Sequence, residues 1–190
     1  STRTTQCYNG HMKERDYRRK IDETMSQIEY GWVDKDNNKR TEMAGFSDNY
    51  RLQLPDELLK SKLGVCWDQV ELERKLFSEF GIKVTPFFIV YYGEPKCPTH
   101  TFILFEDGDK TIWYEHAWQS HAGWHEYESM TDAIRDIRQI FLTEEKLENI
   151  NPSNLVIYMN YPAPDKKLSC VEFYHHCKEN KNPRFKQETL

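Results

Sequence analysis

Several features are missing from this chain, and each absence narrows what it can be. No stretch reaches the apolar length of a membrane span, which argues against a helical membrane protein. The start lacks the apolar core of a signal peptide. There is no internal repeat and no low-complexity linker, so 190 residues suit one domain with a real core. A net charge of -5 without a long basic stripe argues against nucleic-acid binding. The patch from Lys13 to Lys20 mixes Arg15, Arg18 and Arg19 with Glu14 and Asp16. No His-Glu-x-x-His motif and no Cys-x-x-Cys knuckle is present, so neither a zinc protease helix nor a zinc ribbon is written here. Five cysteines are an odd number, and any monomeric disulfide scheme leaves a thiol over. A reducing, cytoplasmic setting is the simpler expectation.

What the chain does have is aromatic surface. Aromatics make up 14% of it, with five Trp and eleven Tyr, alongside a charged fraction ordinary for a soluble protein. Residues 1–11 differ in character from the rest of the chain, and Gly10-His11-Met12 reads as a cloning remnant. A single domain is therefore expected over 12–177, with a polar tail over 178–190.

Periodicity then orders the elements. Residues 13–29 read as a helix with Ile21, Met25 and Ile28 inward. The span 34–42 is polar and reads as an exposed loop. Pro55 with Asp56 and Glu57 suits a short helix start. A second helix is expected over 66–80, with Val70, Phe77 and Phe80 at helical spacing and Gly81 as its stop. Strands are expected over 86–92, 101–105 and 111–118. A helix over 129–146 places Ile134, Ile137, Ile140 and Phe141 inward, and a strand over 155–158 precedes a helix over 168–177. Helix, antiparallel strands and helices again indicate an α+β fold.

Between the strands over 101–105 and 111–118 stands Glu106-Asp107-Gly108-Asp109. Asp-Gly is a strong two-residue hairpin signal. With Asp107 and Gly108 at the turn centre, Ile103 faces Ile112, Phe102 faces Trp113, and His100 faces Glu115. Directly opposed residues share one sheet face with Cβ atoms about 4.5–5.5 Å apart. That brings an imidazole within reach of a carboxylate. Such a carboxylate fixes the tautomer and steadies the imidazolium, and leaves the other ring nitrogen for a nucleophile.

Cys66 supplies the nucleophile. It opens the second helix in Leu63-Gly64-Val65-Cys66-Trp67-Asp68. A thiol at a helix N-terminus feels the positive end of the dipole, and the free N–H groups there can hold an oxyanion. Gly64 is expected to let substrate approach the backbone. Asp68, Glu71 and Glu73 are expected to point outward, since carboxylates beside a thiolate would oppose its ionisation.

Gly64-Val65-Cys66-Trp67 resembles the Gly-x-Cys-Trp nucleophile motif of transglutaminases. Thr99-His100-Thr101-Phe102 and Trp113-Tyr114-Glu115 resemble the His and acid strands of bacterial transglutaminase-like domains, fifteen residues apart here from His100 to Glu115. The likeness spans roughly 60–130. It implies a papain-like fold, with the catalytic helix packed on an antiparallel sheet and Cys66, His100 and Glu115 as the triad. Glu115 departs from the Asp usual at that place. The Arg-Gly-Gly-x-Cys motif of arylamine acetyltransferases, which share the triad type, is absent. No Gln stands at the papain-style distance before Cys66; Gln53 and Tyr50, further upstream, are the candidate oxyanion donors, with Trp67 and Trp118 as candidate cleft residues.

Two other clusters are weaker. Trp113 to Tyr127 holds His116, His121, His125, Glu115 and Glu126, but Gly123 interrupts the helix that would align His121 with His125. Its aromatics either line a substrate cleft or pack the sheet edge. Cys170 to Cys177 reads as a half-buried helix rather than a zinc site. No metal or cofactor is expected. The expected chemistry is acyl transfer on a protein or peptide amide through a thioester, resolved by water in a peptidase, amidase or deamidase. The alternatives are an amine-accepting transglutaminase and a non-catalytic peptide-binding module on the same fold.

Overall fold

The computed structural model describes residues 16–94 and 96–179. The expected cloning remnant, the start of the first helix over 13–15 and the tail beyond 179 lie outside them. Helix α1 is described over 16–25 and buries Ile21 and Met25, with Ile28 buried just after it. Short strand β1 (Glu29–Tyr30) pairs in parallel with β4 (Leu63–Gly64). Between them lie the hairpin β2 (Trp32–Val33) and β3 (Lys39–Arg40), a one-turn helix α2 (Phe46–Asn49) and α3 (Pro55–Ser61). The span expected as an exposed loop thus holds a hairpin. Buried Asp34 organises it by accepting from Asp36 N, Asn38 N and Arg40 Nε.

Helix α4 (Cys66–Glu79) comes next, with Gly81 at φ 72° beyond its end. Then come β5 (Thr85–Tyr91), β6 (Thr99–Asp107), β7 (Lys110–Glu115) and β8 (Gly123–Tyr127). Helix α5 (Met130–Glu144), strand β9 (Leu155–Met159) and helix α6 (Cys170–Lys178) complete the order. Five strands form one antiparallel sheet in the order β8-β7-β6-β5-β9. The fold is α+β, as expected. Strand β8 lies in the later part of the aromatic segment, beyond the strand expected over 111–118, where periodicity assigns no element.

Strand alternation sorts the core into two layers. Ile103, Phe105, Ile112 and Tyr114 pack with Val70, Leu72 and Phe77 of α4. Phe87, Ile89, Phe102, Leu104 and Trp113 pack with Ala133, Ile134, Ile137 and Phe141 of α5. Each such large side chain contributes about 1.5–3 kcal/mol by leaving water, so both helices are fixed firmly to the sheet.

The hairpin register differs from the expected one. Ile103 pairs with Tyr114, Leu104 with Trp113 and Asp107 with Lys110, so Gly108 and Asp109 form the turn. Gly108 has φ 62°, as the first position of a type II′ turn requires. The strands have slipped by two residues rather than one. Because side chains alternate with period two, His100 and Glu115 keep a common face and become diagonal neighbours instead of direct ones.

Candidate active site

Helix α4 begins deep in the molecule. All its residues from Cys66 to Glu73 are buried, the pattern of a helix packed on every side. The expectation that Asp68, Glu71 and Glu73 face solvent is therefore overturned, because the first two turns have no solvent face. Asp68 organises the helix start. Its Oδ2 accepts from Val65 N at 2.9 Å, and its Oδ1 accepts from Tyr50 Oη at 2.8 Å and Gln53 N at 2.9 Å. Burial pushes its pKa up to about 7, against the pull of those donated bonds. Burial likewise raises Glu71 to about 7, with the Arg74 ion pair at 3.4 Å opposing. Glu73 is raised well above its usual range by burial and by the charge of Glu115.

Gly64 also serves this packing. A Cβ there would meet Leu58 Cδ1 at 2.7 Å and Asp68 Cβ at 3.0 Å. The room expected for substrate is occupied by the protein itself.

Strands β6 and β7 position the other two candidates. Both side chains are buried, and His100 Nε2 lies 2.5 Å from Glu115 Oε1. The second carboxylate oxygen accepts from His116 N at 2.9 Å and Trp118 N at 3.4 Å. The Trp118 ring stacks on the imidazole with centroids 3.7 Å apart and planes 9° apart. Burial alone would lower the His100 pKa. The Glu115 charge and hydrogen-bonding interactions with Cys66 and Glu115 outweigh it and raise the pKa to about 10. With Nε2 committed to Glu115, Nδ1 is the nitrogen left for the thiol.

Gln69 links the two sides. Its Nε2 donates to Gly64 O, and its Oε1 accepts from His116 Nδ1, both at 2.8 Å. His116 is the residue directly after Glu115, so one side chain of α4 braces the segment that holds the carboxylate.

Cys66 opens onto a cleft of about 560 Å³, lined also by Tyr30, Phe46, Trp67, Lys96, Glu145 and Tyr174 among others. Of the candidate oxyanion and cleft residues, Trp67 lines it while stacking on Phe173 at 4.3 Å. Gln53 is committed elsewhere: its amide donates to Leu63 O at 2.7 Å and accepts from Ser61 Oγ at 2.5 Å. The Tyr50 hydroxyl is likewise spent on Asp68. Trp118 covers His100 and is not among the residues lining this cleft. The histidines of the aromatic segment diverge. His121 Nε2 meets Glu144 at 2.9 Å, and His125 stacks on Trp113. Cys66, Cys97, Cys170 and Cys177 are free thiols.

Comparison with known families and with curated proteins gives no match: neither a family model nor a curated protein matches the chain. The site stands on its own residues. Sequence reasoning missed the brace by Gln69, the role of Asp68, and the cleft residues Lys96 and Glu145. Only Asp68 left a local signal, an acid three residues into a helix from Val65, the place of a capping-box partner.

Proposed function

We propose that this protein is a cysteine-dependent acyl-transfer enzyme, hydrolysing a protein or peptide amide on a papain-like, transglutaminase-like core. The observation that carries the reading is the buried His100–Glu115 pair beside Cys66 at the start of α4, open to a cleft. A buried imidazole–carboxylate pair costs desolvation, and its placement against a thiol gives that cost a chemical use.

In this mechanism the Cys66 thiolate attacks the amide carbonyl carbon, and first-turn N–H groups of α4 receive the developing oxyanion. His100, held as imidazolium by Glu115, gives its proton to the leaving amine as the C–N bond breaks. A thioester remains on Cys66. His100, now neutral, takes a proton from water as it attacks, and the thiolate leaves. Trp118 keeps water off the imidazole–carboxylate bond. Among the described residues no helix is long and apolar enough to cross a membrane. Among the described residues the cysteines are free thiols, which supports a reducing compartment, and we infer a cytoplasmic enzyme.

The test is alkylation. Cys66 should react rapidly and selectively with iodoacetamide below neutral pH, and His100→Ala should remove that reactivity while the fold persists by circular dichroism. Alkylation of Cys66 no faster than a free thiol overturns the reading.

A further inference from the structure

The cleft above Cys66 carries two opposed charges, Lys96 on the connection between β5 and β6, and Glu145 just after α5. They are not equivalent. Lys96 is exposed, whereas Glu145 is half-buried. An exposed ammonium on a long stem is screened by water and can swing away. A half-buried carboxylate acts through a less polar medium than an exposed ammonium, so its charge is less screened inside the cleft. Among the described residues neither closes an ion pair within 4.0 Å. Burial raises the Glu145 pKa, while Lys96 and His100 pull it down, so both lie within electrostatic reach.

Part of the remaining lining is aromatic. Tyr30, Phe46 and Tyr174 border the same cleft, and aromatic faces attract cations. Tyr30 is 45% exposed, so its ring is available to a ligand.

We propose that the cleft selects acyl donors bearing an ammonium or guanidinium group near the reacting carbonyl, and that Glu145 sets this preference. The inference rests on the reading of Cys66 as nucleophile, yet it can be tested without a known substrate. Three methanethiosulfonates of similar size, cationic, neutral and anionic, convert a thiolate to a mixed disulfide with loss of methanesulfinate. Rates at Cys66 in the full chain would be read by peptide mass spectrometry, which separates it from exposed Cys97.

The cationic-to-anionic rate ratio at Cys66 should exceed that of a free cysteine peptide about tenfold. Glu145→Gln should reduce it about fivefold, and Lys96→Met should leave it unchanged or raise it. A ratio equal to that of the free peptide, or one indifferent to Glu145→Gln, overturns the charge preference. The neutral reagent reports separately on thiol activation. A slow neutral rate with a Glu145-dependent ratio would refute the nucleophile while supporting the electrostatic claim.

Discussion

The two halves of the candidate site are held in different ways. His100 and Glu115 come from neighbouring strands of one hairpin, and short-range pairing brings them together. Cys66 is set by a web drawn from distant stretches: Asp68 gathers Tyr50, Gln53 and Val65 around the helix start. A ladder tolerates a slip of two residues without losing the pair's common face. A web of single bonds has no such redundancy, because each donor serves one acceptor. The halves should therefore fail differently.

The largest effect is expected at the web. Asp68→Ala leaves three buried donors without an acceptor, at about 1–3 kcal/mol each, and should cost about 4 kcal/mol in urea unfolding. If the loss is below about 1 kcal/mol, the Cys66 side is not held through Asp68.

Proton linkage should separate the halves by pH window. Asp68 and Glu71 have folded pKa values raised to about 7. The folded chain then keeps protons that the unfolded chain has already released, so this stabilisation is present at acid pH and lost as pH rises toward 7. His100 is also raised, to about 10 from 6.5. Its contribution is complete below pH 6.5 and is lost as pH rises through 10. Each group changes stability by about 1.4 kcal/mol per pH unit within its window. Urea midpoints at pH 4.5, 7 and 9.5 should fall in two steps, and Asp68→Asn should shrink the first step, which Glu71 shares, while leaving the second unchanged. A midpoint that climbs between pH 4.5 and 7 would contradict the assignment of those buried acids.

Glu115→Gln attacks the other half. It removes the charge that sustains the imidazolium but keeps an acceptor oxygen, and should lower stability by about 1.5–3 kcal/mol, the worth of a charge-assisted hydrogen bond. The Cys66 alkylation rate at pH 5.5 should drop at least about tenfold. Retained reactivity would show that Glu115 only fills space. The smallest effect belongs to the brace. Gln69→Leu should cost about 1 kcal/mol, and a double-mutant cycle with Glu115→Gln should give a coupling of about 0.5 kcal/mol or more. Strict additivity would mean that the halves are mechanically independent.

These differences mirror how much of the site was legible in the amino-acid order. Helix α4 and its stop at Gly81, strands β5 to β7 and helix α5 arise from local periodicity and turn chemistry, and each lies within a few residues of its expected span. Even the wrong hairpin register preserved the right neighbours, because a period-two pattern constrains the face more tightly than the pairing. The orientation of Asp68, Glu71 and Glu73 was not legible in the same way. Charged residues in a helix's first turns usually face water, and only the packing around α4 reverses that. Gln53 was misjudged for a related reason, since its amide partners, Leu63 O and Ser61 Oγ, become neighbours only when α3 folds back.

The His100–Glu115 hairpin, the thiol at a helix start and the α+β order were thus determined by the sequence itself. Hydrogen-bond ladders and dipoles act within a few residues of where they are encoded. The burial of the carboxylates, the brace through Gln69 and the cleft with Lys96 and Glu145 were decided by tertiary structure. They depend on residues far apart in the chain whose meeting is set by the packing of helices on both faces of one sheet.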